Sequence, residues 1–538
     1  MSGTIILLAS IVFFLLGYRF WGKRTANWLG IDPQRPTPAH THTDGVDYVP
    51  TRPSVLLGHH FSSIAGAAPI IGPIAAASWG AWSVFAWIVI GGVFMGAVHD
   101  FSSLVVSVRH EGRGLGSVLE ERLGRGMKTL FLLFVFFALI LVIAVFTNAV
   151  AKTFVSVPET ATASMLFIFL AVGFGLSIYR FHVPFAVATP IGVMLLAACM
   201  IVGYFFPLSL SFQTWRILLI IYIFIASTTP VQYLLQPRDF LSSFILYAML
   251  AVLIVGITIA NPPLRMTTMP VWNPGKGPLF PLLFVTVACG ALSGFHSLVA
   301  SGTTSKQLDN EAHAQPIGYG AMLIESLLAV AALITASVLT PTEYKSGIEN
   351  PIHLFATSAA SLSASVGLPV KFGTLFMSLS VAAFAMTSLD TATRLGRYAL
   401  QELADIPRFR PAVLLQNRFF ATGITVIVAS LLIFSGSATE IWPIFGAANQ
   451  LVASLAFLTI AIWLTFLRRP RAFVLIPGVF VYGMTLTALA WNVYDFGHKG
   501  KAMLASIAAF LFLLATVLGI SGAQTLLRKK HVTPMGSQ

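Results

Sequence analysis

Long apolar runs, each closed by proline, glycine or charged residues, divide this chain of 538 residues. A helix that crosses a bilayer needs about 20 mostly apolar residues. Fifteen runs fit that description, near 4–22, 55–77, 80–108, 127–150, 162–180, 184–206, 215–230, 238–260, 279–302, 317–340, 370–397, 417–435, 441–467, 472–494 and 501–527. The pattern predicts an all-α integral membrane protein of about 15 transmembrane helices. Stretches between the runs are short, and the irregular one at 31–54 is rich in Pro, Thr, His and Asp. No attached soluble catalytic domain is expected.

Composition narrows the class. Hydrophobic residues make up 57% of the chain and charged residues 9%, whereas a soluble domain carries about 25% charged residues. A soluble enzyme, a disordered chain and a disulfide-built secreted domain are excluded. Cys199 and Cys289 both lie in apolar runs, so neither a disulfide framework nor a cysteine zinc motif is on offer. The net charge of +13 reads as a topology signal, with no need for nucleic acid as a partner. Alternate loops hold 24 of the 32 basic residues, among them Arg19, Lys23, Arg24, Arg109, Arg113, Arg122, Arg238, Arg408, Arg410, Arg468, Arg469, Arg528, Lys529 and Lys530. Positive loops stay in the cytoplasm. The split predicts an outward (periplasmic) N-terminus, an inward C-terminus and an odd number of spans. In the first run the positive charges follow the apolar segment and no small-residue cleavage site appears, so it reads as a retained helix.

Two runs differ from the plain Leu/Ile/Val/Phe/Ala spans. Residues 58–73 read GHHFSSIAGAAPIIGP, and residues 289–307 read CGALSGFHSLVASGTTSKQ. Glycine and proline free backbone groups from the helical ladder, and at membrane depth that is tolerated only where the chain is buried in protein or lines a cavity. A pair of such interrupted spans in corresponding positions of two halves points to a transporter's binding site. Under the charge-derived topology they run in opposite directions, as inverted repeats require. Expected substrate-binding residues are His59, His60, Ser62, Ser63, Gly66, Ser293, Gly294, His296 and Ser297. Tight helix packing through small residues is the competing explanation.

These two stretches resemble the signature segments of the carbon starvation protein A (CstA) family of transporters, with similarity running from about 50 to about 470. The resemblance implies membership of the amino acid–polyamine–organocation superfamily and a LeuT-like core of inverted five-helix repeats containing two broken helices. It further implies uptake of peptides and, in a close branch, of pyruvate with protons. Mapped by order, 1–54 is an N-terminal span with a cytoplasmic loop, 55–206 the first repeat, and 207–278 an inserted helix pair with an outer loop. The second repeat is 279–467, and 468–538 holds two C-terminal spans and a short cytoplasmic tail.

Ionisable residues at membrane depth are expensive and functional by default. Glu325, about three turns into its span with no basic residue within one turn, is the expected proton carrier, with a structural hydrogen bond as the alternative. Asp390 has Arg394 at i+4, the spacing of a helix ion pair. The sharper reading is a cation site built from Thr387, Ser388, Asp390 and Thr391 against the unwound 62–66 segment, which the resemblance supports because the corresponding helix of a LeuT-like fold supplies hydroxyls to a sodium site. His99 and Asp100 pair with each other or cap a cytoplasmic gate, and Asn449 and Gln450 serve as helix–helix glue. A zinc site of His59, His60 and His296 is weighed and set aside, so no metal and no cofactor is expected; the driving ion is H+ or Na+.

No GxxxxGK[ST] loop is present. The sequence therefore predicts a secondary active transporter of the inner membrane that imports small carboxylate-bearing nutrients, peptides or pyruvate, by alternating access. An intramembrane enzyme using His59, His60, His296 and Asp100 is the alternative, and neither a GxSxG nor an HExxH motif supports it. Peptide and pyruvate are not distinguished, and oligomeric state is left open.

Overall fold

With no water in the bilayer core, a spanning segment must satisfy its own backbone groups, and a helix does so within one run of chain. In a computed structural model, residues 2–45, 48–230, 233–266, 268–404, 412–435 and 438–527 are described. Among them no strand forms. The main helices are α1 (Gly3–Leu29), α2 (Pro53–Ile64), α3 (Ala68–Ala76), α4 (Ala81–Val108), α5 (Arg125–Ser156), α6 (Pro158–Tyr179), α7 (Phe185–Phe205), α8 (Phe212–Thr228) and α9 (Leu235–Ala260). They continue as α10 (Leu279–Thr286), α11 (Gly294–Gly302), α12 (Glu311–Ser337), α13 (Val370–Ala404), α14 (Arg418–Ser435), α15 (Ala438–Phe466), α16 (Ala472–His498) and α17 (Ala502–Leu527).

Twelve of the described helices are long and apolar enough to cross a membrane, and thirteen when α2 and the bent continuation through Trp79 form one span. The protein is a multi-pass membrane protein. The other two expected spans fall on α8, which has 17 residues, and on α10 with α11, of 8 and 9 residues. At 1.5 Å per residue α8 reaches about 26 Å, short of a hydrocarbon core of about 30 Å. Among the described residues the structure thus supports twelve or thirteen full-length spans of the fifteen expected.

Burial sorts the helices into a centre and a lipid-facing rim. In the most apolar stretch of α15, 94% of residues are buried, against 22% in α7. α13 packs along α5, α15 lies between α5 and α16, and α11 is wedged between α4 and α15. The half-helices α2 and α3 lean on α9 and α12 respectively. Exposed Phe169, Met194 and Leu513 belong to the rim, where lipid replaces water as the solvent.

Three wide π-helical turns, at Gly17–Gly22, Gly92–Gly96 and Gln315–Gly320, meet inside the protein. Such turns free carbonyls. The buried Tyr319 hydroxyl takes two of them, donating to Val93 O at 2.9 Å and Gly17 O at 3.4 Å.

Several basic residues counted from the sequence as loop charges lie inside the fold. Arg238 is 1% exposed in the first turn of α9 and Arg216 is buried in α8. Arg394 donates to Ala226 O and Thr229 O, and Arg397 to Ser227 O, so both cap the C-terminal carbonyls of α8, where the helix dipole favours a cation. Arg408, Arg410, Arg528, Lys529 and Lys530 fall outside the described residues, as does the side chain of Arg122.

Candidate functional site

Both interrupted spans are broken, the first beside Gly66 and just ahead of Pro69, the second around Gly290. The first bends by 44° between α2 and α3, with Ala65 and Gly66 out of helical register. A Cβ at Gly66 would stand 2.3 Å from Ser388 Oγ, so only glycine lets α13 approach the break this closely. The second span unwinds over residues 287–293. Its freed carbonyls find side-chain partners, as membrane depth demands: Gln450 Nε2 donates to Phe284 O at 2.8 Å, Trp442 Nε1 to Thr286 O at 3.4 Å and Trp87 Nε1 to Val287 O at 3.0 Å. At the start of α11, Phe295 N donates to Asn449 Oδ1 at 2.9 Å, and Asn449 Nδ2 donates to Ser293 Oγ at 3.0 Å. The helix–helix role expected of Asn449 and Gln450 is thus a repair of the broken helix.

A narrow cavity separates the two breaks. Ile64, Gly66, Ala68, Cys289, Phe295 and Ser388 are among its walls. Of the expected substrate contacts, Gly66 borders it. Ser62 Oγ donates to Asp239 O and Ser63 Oγ to Asp239 Oδ2, at 3.1 and 3.3 Å. Ser297 Oγ donates back to Gly294 O. Gly294 is held against α15: a Cβ there would lie 2.2 Å from Asn449 O and 2.5 Å from Ala453 N. Its glycine serves backbone packing, not an open cavity wall.

Two buried polar networks flank the cavity. In the first, His296 on α11 places Nδ1 2.8 Å from Asp100 Oδ2 and Nε2 3.3 Å from Glu325 Oε2, while His99 Nδ1 stands 2.7 Å from Asp100 Oδ1. All four side chains are fully buried. His99 and Asp100 do pair, but deep in the fold and in company with His296, so they form no surface gate. In the second network Asp390 Oδ2 accepts from Arg238 Nη1 at 2.5 Å and from Tyr222 Oη at 2.6 Å. The expected Asp390–Arg394 helix pair is not the one formed, because Arg394 reaches the end of α8 instead. The hydroxyls of Thr387, Ser388 and Thr391 and Asp390 Oδ1 are buried without a hydrogen-bond partner.

The histidines expected as a trio take separate partners. His59 Nδ1 lies 3.2 Å from Asp239 Oδ2, and His60 Nδ1 lies 2.8 Å from Thr304 Oγ1. His60 sits within electrostatic reach of His59, His296 and Asp100, between the His59–Asp239 pair and the first network. His296 instead converges with Cys289 and Glu325, the three ligand-capable atoms lying within 4.8 Å of one another. No spacing in the sequence announced that grouping. Arg238, Asp239 and Tyr222 were missed as well; their one sequence signal was a charge pair at the mouth of an apolar run.

The carbon starvation protein CstA family matches residues 2–367 and 345–488 of the chain. A peptide transporter CstA of Escherichia coli (strain K12) is 34% identical over 90% of this chain and 80% of its own length. A peptide transporter CstA of Campylobacter jejuni is 32% identical over 94% and 83% respectively. The pyruvate/proton symporter BtsT of Escherichia coli (strain K12) is 32% identical over 92% of this chain and 82% of its own length. With a match across most of its length and several relatives above 30% identity, this chain belongs to the carbon starvation protein CstA family.

Proposed function

We propose that this protein is a proton-coupled secondary transporter that brings small carboxylate-bearing nutrients, peptides or pyruvate, across the inner membrane by alternating access. The observation that carries this reading is the meeting of two broken helices across one cavity, with buried titratable side chains on both sides. Names of relatives support the substrate class: peptides for several, pyruvate with protons for another. They also favour transport over an intramembrane enzyme.

In this reading the chain uses a LeuT-like core, with α2–α3 as the first broken helix, α10–α11 as its inverted partner, and repeats at 55–206 and 279–467. The N-terminal end of α3 opens at Ala68 on the cavity wall, where the helix's partial positive charge suits a carboxylate. Glu325 is the proton carrier. Among the described residues it pairs with an imidazole and with no guanidinium or ammonium group, whereas Asp390 is held by Arg238 and Tyr222. Asp390 already has a permanent cation as its partner, so it is the poorer choice for a proton that must come and go. Thr387, Ser388 and Thr391 are left for a cation or a bound water beside Gly66.

Reconstituted protein tests this. Labelled pyruvate and dipeptides should accumulate in proteoliposomes when the outer solution is the more acidic, and only equilibrate without a proton gradient. Accumulation indifferent to that gradient removes the coupling, and recovery of hydrolysed dipeptide in place of intact solute removes the transporter.

A further inference from the structure

We infer that Cys289, His296 and Glu325 form a binding site for a divalent transition-metal ion of the zinc type. The three side chains come from different pieces of the fold: Cys289 from the unwound segment, His296 from the first turn of α11, and Glu325 from the middle of α12. All are buried, and Sγ, Nε2 and a carboxylate oxygen lie within 4.8 Å of one another. Tetrahedral zinc at its usual bond lengths separates neighbouring nitrogen and oxygen ligands by about 3.4 Å. His296 Nε2 and Glu325 Oε2 stand 3.3 Å apart.

The imidazole is set up for this role by its far side. Its Nδ1 is 2.8 Å from Asp100 Oδ2; an ionised Asp100 accepts the Nδ1 proton, which leaves the Nε2 lone pair facing Cys289 and Glu325. A carboxylate behind a ligating histidine is the usual arrangement at zinc, and it fixes both tautomer and ring orientation. His99 Nδ1, 2.7 Å from the other Asp100 oxygen, holds that carboxylate in turn. On the near side, His296 Nε2 and Glu325 Oε2 face each other at 3.3 Å outside hydrogen-bond geometry, and Glu325 Oε1 has no partner among the described residues, an arrangement of buried polar atoms that a bound ion would complete. The Cys289 thiol donates to Ser293 Oγ and stands beside His296 as well.

Ligand chemistry narrows the ion. Sulfur with imidazole and one carboxylate suits zinc and its first-row neighbours, whereas magnesium and calcium prefer all-oxygen shells. Three protein ligands leave a fourth position for water, as in open zinc sites. Cys289 also lies on the cavity wall, which gives an ion a way in when the cavity hydrates. The titratable groups around the site are Asp100, His99 and His60 in addition to the three ligands. Metal and proton would compete for Glu325, so a loaded site is a blocked coupling site. That consequence rests on the transport reading, while binding itself is measurable without substrate or membrane.

Full-length protein in detergent, stripped with a chelator, loaded with zinc and desalted, should retain about one zinc ion per chain by mass spectrometry of the metal. Cys289→Ser and Glu325→Gln should each bind zinc at least about 10-fold more weakly, and Asp100→Asn about 10–100-fold more weakly. Cys199→Ser, at the other free cysteine, should match the parent. Cobalt gives a readout that needs no variant: the unmodified protein should show a thiolate-to-cobalt charge-transfer band. Absence of stoichiometric zinc, a cobalt spectrum without thiolate character, or unchanged affinity in both Cys289→Ser and Glu325→Gln would each overturn the site.

Discussion

Glu325 and Asp390 are both buried carboxylates on central helices, and they differ in what stands beside them. Glu325 meets an imidazole, and Asp390 meets an arginine that never releases its proton. Replacing Glu325 by glutamine keeps the shape of the protonated acid. Glu325→Gln should therefore bind substrate and exchange it down a gradient, yet lose uphill accumulation; normal uphill rates in that variant would end its assignment as proton carrier. At Asp390 the expected outcome is structural. Asp390→Asn leaves the Arg238 charge buried without its carboxylate, and removing one partner of a buried pair costs about 3–5 kcal/mol. Thermal unfolding of Asp390→Asn should occur well below the parent's temperature, with much of the loss recovered in Asp390→Asn/Arg238→Met. A double variant no more stable than the single one would show that the pair is not what couples these positions.

At the scale of elements, the two breaks are held open by different devices. Gly66 faces a side chain, Ser388 Oγ, and Gly294 faces the backbone of α15. Side chains can be trimmed and backbone cannot. Gly66→Ala should lower the yield of folded protein and Gly66→Ala/Ser388→Ala should restore it, since the next contact, with Ser388 Cβ, is at 3.2 Å. No side-chain substitution should rescue Gly294→Ala, and fluorescence-detected size exclusion reads both outcomes. Asn449→Ala should destabilise the protein by about 1–3 kcal/mol, because it leaves Phe295 N buried without its acceptor. A melting temperature unchanged in Asn449→Ala would mean that α11 does not depend on this cap.

For the whole molecule, α12 supplies a ruler. At one end Glu311 accepts from Arg109, from Arg35 and from Asp32 N, while His40 lies 2.9 Å from Asp309. At the other end Ser337 O accepts from Arg265 N, and Thr340 begins the turn that leads to Lys345. These 27 residues span about 40 Å, so exposed positions 40 and 345 lie on opposite faces. Which face is cytoplasmic is the part carried by charge. In a Cys199→Ser background, His40→Cys should react with an impermeant thiol reagent only in opened or inverted vesicles, and Lys345→Cys in intact cells. The reverse labelling would turn the topology over; position 530, the third expected marker, lies outside the described residues.

Apolar runs by themselves determined that this is an all-helical membrane protein and where its helices lie, because hydrocarbon leaves a spanning chain little else to do. The same constraint made the two breaks legible: GHHFSSIAGAAPIIGP unwinds just ahead of Pro69, which has no ladder N–H, and CGALSGFHSLVASGTTSKQ unwinds around Gly290. Glu325 stood out for an equally local reason, a carboxylate with no nearby basic residue in its own helix. Partners did not follow from sequence, since they come from helices far apart in the chain. Arg238 reaches Asp390 across 152 positions, Asp100 reaches His296 across 196, and Gln450 reaches Phe284 across 166. Helix packing decides which buried polar groups meet, and that choice made Arg238 part of the core, assigned Gly294 to packing, and drew Cys289, His296 and Glu325 together.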